Sequence, residues 1–182
     1  MNKRRSLLLT LALAAGIMIA CDKDEKKPGT GTTNPPATNT EEGSGTATIS
    51  YASETMSLTG VCGSSDALGY KLVTIQDATV PTRTLSIGLN VIDLPMNTTV
   101  YMLATSNETG ADQAFMDFTN VQNGAITGWS SDLSSGNVTF TVNGDEITCN
   151  FSNIPLQPYQ FYNEGDSLNV GYCTGSMTFY HE

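Results

Sequence analysis

The stretch Asn137–Asn153, NVTFTVNGDEITCNFSN, constrains the fold of this chain more than any other part of it. Apolar residues recur at every second position on both sides of Asn143-Gly144, a pair suited to a two-residue type I′ turn because both central positions need positive φ. A turn there sets Phe140 opposite Ile147, Val138 opposite Cys149, Thr139 opposite Thr148 and Thr141 opposite Glu146. Apolar then meets apolar on one face and polar meets polar on the other, whereas a one-residue slip sets Phe140 against Glu146 or Thr148. A hairpin with one buried face is predicted.

The same period-2 pattern recurs elsewhere. Leu85, Ile87, Leu89 and Val91 alternate with Thr84, Ser86, Gly88 and Asn90, and Cys173, Met177 and Phe179 alternate with Thr174, Ser176 and Thr178. Further candidate strands are Thr46–Tyr51, Glu54–Gly60, Tyr70–Ile75, Thr98–Ala104 and Gln113–Thr119. Turn-rich stretches separate them, and no long run has helical periodicity. The expected fold is all-β, a single antiparallel β-sandwich or small barrel of about nine strands.

Ahead of this domain lies a chain of different character. Leu7–Ile19 is mostly apolar, follows Lys3, Arg4 and Arg5, and ends in Met18-Ile19-Ala20-Cys21. A membrane span needs roughly 20 apolar residues, so the stretch reads as a signal peptide over residues 1–20. A cysteine at the cleavage point offers a thiol for diacylglycerol and, after cleavage, an amine for a further acyl chain. One acyl chain holds a protein only marginally, while two or three on Cys21 form a lasting anchor. Residues 21–45 follow as lipidated cysteine and linker, dense in Pro, Gly, Thr and charge and without a large apolar side chain. Such a segment buries too little surface to offset its ordering entropy. As a coil it spans on the order of 27 Å, and stretched about 80 Å. The all-β domain is expected over residues 46–182.

Met18–Cys21, followed by Asp22-Lys23-Asp24-Glu25, resembles the start of surface-exposed lipoproteins of Bacteroidetes, in which a lysine with acidic neighbours directs export to the outer face of the outer membrane. The resemblance implies a lipid anchor on Cys21, an outer-membrane location facing the cell exterior, and a small all-β domain. An aspartate directly after the lipidated cysteine is, in enteric bacteria, a signal for retention in the inner membrane; the three residues after Asp22 favour the outer membrane.

Charge narrows the partners. Removing Lys3, Arg4 and Arg5 takes the formal charge from −10 to −13, and beyond residue 45 only Lys71 and Arg83 are basic. A chain so poor in cations does not neutralise phosphates, so no nucleic acid partner is expected.

Once Cys21 is lipidated, Cys62, Cys149 and Cys173 remain, each sharing the parity of nearby apolar residues. The favoured disulfide is Cys62 with Cys173, joining the first long strand to the last; the alternatives are Cys149 with Cys173, and three buried free thiols. No Cys-x-x-Cys spacing accompanies the lone His181, so neither a metal site nor a cofactor is expected. His181 also lies too near the end of the chain to serve as a catalytic base.

Binding is the better reading. Trp129, between Gly128 and Ser130, and the segment carrying Tyr159, Phe161 and Tyr162 combine aromatic area with polar neighbours, a mixture suited to glycan or protein ligands. Asp166-Ser167-Leu168 resembles the O-glycosylation motif of Bacteroidetes and marks Ser167. The expected function is a non-catalytic binding module. The alternatives are a structural or assembly component of an envelope complex, and a hydrolase using paired carboxylates such as Asp112 and Asp117.

Overall fold

The structure is a computed structural model, which describes residues 43–181 apart from 106–108, 123, 132–135 and 159–168. Its strands are β1 (Gly43–Tyr51), β2 (Glu54–Ala67), β3 (Tyr70–Asp77), β4 (Arg83–Leu89), β5 (Thr99–Leu103), β6 (Gln113–Gln122), β7 (Ala125–Ser131), β8 (Asn137–Asn143), β9 (Glu146–Pro158) and β10 (Gly171–Tyr180). The fold is all-β, and the choice between sandwich and barrel falls to the barrel: nine strands close a ring in the order β1-β2-β3-β4-β6-β5-β8-β9-β10, with β7 as one extra strand. Closure between β10 and β1 leaves neither with a free edge, with Ser44 opposite Thr178 and Ile49 opposite Cys173. The domain's first strand begins at Gly43, ahead of the expected Thr46.

Alternation decides which residues fill the ring. Ala47, Ile49, Leu58, Val73, Ile75, Leu85, Ile87, Met116, Phe118, Val138, Phe140, Ile147, Met177 and Phe179 are buried together inside, while the intervening Ser44, Thr46, Ser50, Ser57 and Thr59 are exposed. This is the inverse of a membrane-spanning barrel, which turns apolar residues outward. Small residues leave room for large ones: a Cβ at Gly45 would stand 2.7 Å from Ile75 Cδ1, so only glycine lets Ile75 reach that wall.

Three departures from the sequence reading have local causes. First, the hairpin pairs Asn143 with Glu146, Val142 with Ile147 and Phe140 with Cys149, so the turn is Gly144-Asp145 instead of Asn143-Gly144. Gly144 has φ 65 at the first central position, the place that a type II′ turn reserves for glycine. The two-residue shift keeps every side chain on its expected face.

Second, β9 runs on to Pro158 through a bulge. Cys173 pairs with Ile154 and Gly175 with Phe151, so β9 carries one extra residue there. Asn153 adopts φ 52, which asparagine tolerates, and its N–H donates to the Thr174 hydroxyl at 2.8 Å. Inward parity therefore switches from Ile147, Cys149 and Phe151 to Ile154 and Leu156.

Third, β7 was not expected. It pairs with β6 from Asp117↔Ser130 to Gln122↔Ala125 and with β9 at Trp129–Ser131. Ser131 ties it to β6 and to the residue that follows β5: Met116 N–H donates to Ser131 Oγ at 2.9 Å, and that hydroxyl donates to the Ala104 carbonyl at 2.7 Å. Both buried backbone groups are thus satisfied where β6 changes partner.

The expected disulfide is corrected. Cys62, Cys149 and Cys173 are all free and buried, the third of the alternatives. Cys62 donates its thiol to the Thr178 carbonyl at 3.0 Å, whereas Cys173 lies five residues back along β10, about 16 Å away at the rise of a strand. A disulfide needs Cα atoms within about 7 Å. Burial pushes the Cys62 thiol up to about 11 and Cys173 up to about 12, and it raises Cys149 too, with the neighbouring Cys62 adding to that rise. Because the thiolate is the reactive form, the folded domain is expected to leave all three unmodified by a thiol reagent at pH 8. Counting adducts by mass before and after denaturant checks this; rapid native labelling would contradict the packing.

Candidate functional site

The end of the barrel where β1 finishes carries a group of polar side chains pointing inward, at positions whose parity belongs to the core. Asp77 follows Val73 and Ile75 on the inner face of β3; Arg83 precedes Leu85 and Ile87 on β4; Asn120 follows Met116 and Phe118 on β6. Tyr51 and Met56 close the arc from β1 and β2, half-buried and packed against the core. We call this end the mouth.

Asp77 organises one side of it. The residue is 2% exposed, and its Oδ1 accepts from Thr79 N–H at 2.8 Å, the Thr79 hydroxyl at 2.7 Å and Val80 N–H at 3.1 Å. Its Oδ2 lies 3.5 Å from Arg83 Nη1. Burial alone would raise its pKa, but the Thr79 and Val80 hydrogen bonds and the Arg83 charge together hold it below the usual carboxylate range. Arg83 is anchored further by Nη1, which donates to the Ser57 carbonyl at 2.7 Å.

Two polar atoms in the mouth lack partners. Arg83 Nε and Asn120 Oδ1 are buried with no hydrogen-bond partner among the described residues. They belong to residues directly opposite in the β4–β6 ladder, both on the inner face. Asn120 is 8% exposed, and among the described residues its amide nitrogen has only the Met56 sulfur at 3.7 Å. A buried unmet donor and acceptor each cost about 1–3 kcal/mol, and one hydroxyl group, which both accepts and donates, would satisfy the two together.

The same end of the barrel carries aromatic area. The Tyr51 ring stands 4.7 Å from that of Trp129, and its hydroxyl donates to Glu54 Oε2 at 2.7 Å. Burial raises the Tyr51 pKa, the Glu54 hydrogen bond and charge add to this, and the Arg83 guanidinium opposes it.

The residues expected to bind ligand fare differently. Trp129 is 0% exposed: it lies on β7, faces inward beneath Tyr51 and donates Nε1–H to the Asn169 carbonyl at 3.1 Å. It supports the mouth and offers no face to solvent. Cys21, Tyr159, Phe161, Tyr162 and Ser167 lie outside the described residues. Asp117 is 4% exposed on β6 and Asp112 is exposed in the turn before it, five residues or about 17 Å apart along the chain, so they do not form a carboxylate pair. His181 is half-buried, and its backbone N–H donates to the Asp145 carbonyl at 2.9 Å. Among the described residues no group of three or more His, Cys, Asp or Glu is placed to hold a metal ion.

Arg83, Asn120 and Asp77 were missed, although a signal for them exists. Each is polar at a position that alternation assigns to the core, and a buried polar residue is more informative than an exposed apolar one. No family model, curated protein or solved structure matches this chain.

Proposed function

We propose that this protein is a lipoprotein anchored through Cys21 in the outer membrane and facing the cell exterior, whose barrel is a non-catalytic binding module for an extracellular glycan or protein. The observation that carries the binding reading is the unpartnered pair Arg83 Nε and Asn120 Oδ1 on the inner face of the barrel end that Tyr51 also lines. A sugar supplies what they lack, a hydroxyl that bridges donor and acceptor and a C–H face for an aromatic ring. The leader, Cys21 and the linker support the location. The mouth lies at the end of β1 away from Gly43, the residue through which the chain leads back toward Cys21.

Titration of the isotope-labelled domain Glu41–Glu182 with a glycan panel tests the site by NMR. Shifts are expected at the Asn120 side-chain amide and Arg83 Nε–H, and Asn120→Leu should weaken binding by tenfold or more, the scale of one lost buried hydrogen bond. Shifts confined to other surfaces would contradict the assignment. A structural role in an envelope complex is the second reading, favoured by Val100 and Met102, 52% and 55% exposed on the outer face of β5. Stable co-purifying partners that protect those two residues would select it.

A further inference from the structure

We propose that the barrel end opposite the mouth seats in the membrane surface, with Leu68, Ile92 and Met96 inserted among neutral lipid headgroups. The inference rests on the proposed anchor at Cys21, because it concerns what the tether brings against the bilayer.

Strand directions place these residues together. β1 begins at Gly43, which pairs with Cys62, and β2 continues beyond it to the turn at Leu68-Gly69. β4 ends at Leu89 opposite Lys71, just past that turn, and the connection carrying Ile92 and Met96 leaves from there. The end where β1 begins therefore presents Leu68, Ile92 and Met96 at 59%, 87% and 70% exposure. Among the described residues, six of the seven exposed large apolar side chains lie in or beside this half, and Tyr172 lies toward the mouth.

The turn adds a second, independent observation. Leu68 adopts φ 54, a left-handed conformation that a bulky side chain occupies only under strain. Asparagine or glycine fills that position without the strain and without exposing a leucine. The turn thus holds an apolar side chain out to solvent at this end at a local cost in backbone strain.

Lipid attachment explains why three side chains suffice. A tether of this length holds the domain at an effective concentration on the order of millimolar near the bilayer, so weak insertion becomes the dominant state. The same end carries exposed Asp93, Asp112, Asp145 and Glu146, with Asp66 paired to Lys71 at 2.7 Å. These carboxylates repel anionic headgroups and select neutral ones.

The test uses the full lipidated chain in phosphatidylcholine vesicles containing nitroxide-labelled lipid. A fluorophore is placed on Ile92→Cys or, at the mouth, on Thr79→Cys; the native thiols are buried and do not compete. Quenching at position 92 is expected to exceed that at 79 by severalfold, to fall to the level at 79 when Leu68→Asn and Met96→Asn are added, and to weaken as phosphatidylglycerol replaces phosphatidylcholine. Equal quenching at both positions in protein shown by mass to be lipidated would overturn the seat and leave the anchor standing. A chain that carries no lipid would overturn both. An unquenched label together with a sedimenting dimer would give the surface to a second copy and also overturn the proposal.

Discussion

Trp129→Ala is expected to cost the domain about 3–5 kcal/mol of folding free energy, the usual loss when a buried large aromatic is truncated. The indole is fully buried, packs against Tyr51 at 4.7 Å and, edge-on, against Phe118 at 6.0 Å, and its Nε1–H is satisfied by Asn169. Truncation leaves a cavity between β1, β6 and β7 and strands the Asn169 carbonyl. Native domains have about 5–15 kcal/mol in total, so the loss is a large part of the whole. Urea unfolding followed by circular dichroism measures it. An unchanged midpoint would contradict the burial of Trp129.

Gly88→Val attacks the barrel wall from outside. Leu72, Gly88 and Phe115 form one cross-strand row on the outer face of β3, β4 and β6, with Leu72 3% and Phe115 0% exposed. The Phe115 ring lies across Gly88, where a Cβ would collide with it, and meets Tyr70 edge-on at 5.2 Å. Two strands and an aromatic ring must move to admit valine, so a loss of about 1–3 kcal/mol or more is expected. Gly63→Val is the control, because a Cβ there meets nothing within 4 Å. It should change stability by no more than about 0.5 kcal/mol. Equal effects of the two substitutions would contradict the packing of Phe115.

These positions show what alternation carries and what it does not. Period-2 patterning revealed the strands around Phe140, Ile147, Leu85 and Phe179 because each buries one face and shows the other to water. It missed β7 because Trp129 is flanked at its own parity by Thr127 and Ser131, so no apolar series runs through AITGWSS. It ended β9 too early because the bulge at Asn153 reverses the parity, so Ile154 and Leu156 no longer continue the series from Phe151. Closure is a different kind of information. Pairing β1 with β10 joins residues more than 120 positions apart, and nothing local to either strand encodes its partner. The mouth was legible in principle, since Arg83, Asp77 and Asn120 stand where the alternation calls for apolar side chains; their meeting at one end of the ring was not.

The barrel has an apolar interior, and its mouth lies at the end of β1 away from Gly43. The proposed role depends on how the linker is held. Intact-mass spectrometry of the protein extracted from membranes of its native host addresses this directly. The account predicts one species that begins at Cys21 and carries the added mass of diacylglycerol and a further acyl chain. A chain that retains residues 1–20, or one that begins at Cys21 with an unmodified thiol and is recovered from the culture fluid, would contradict it.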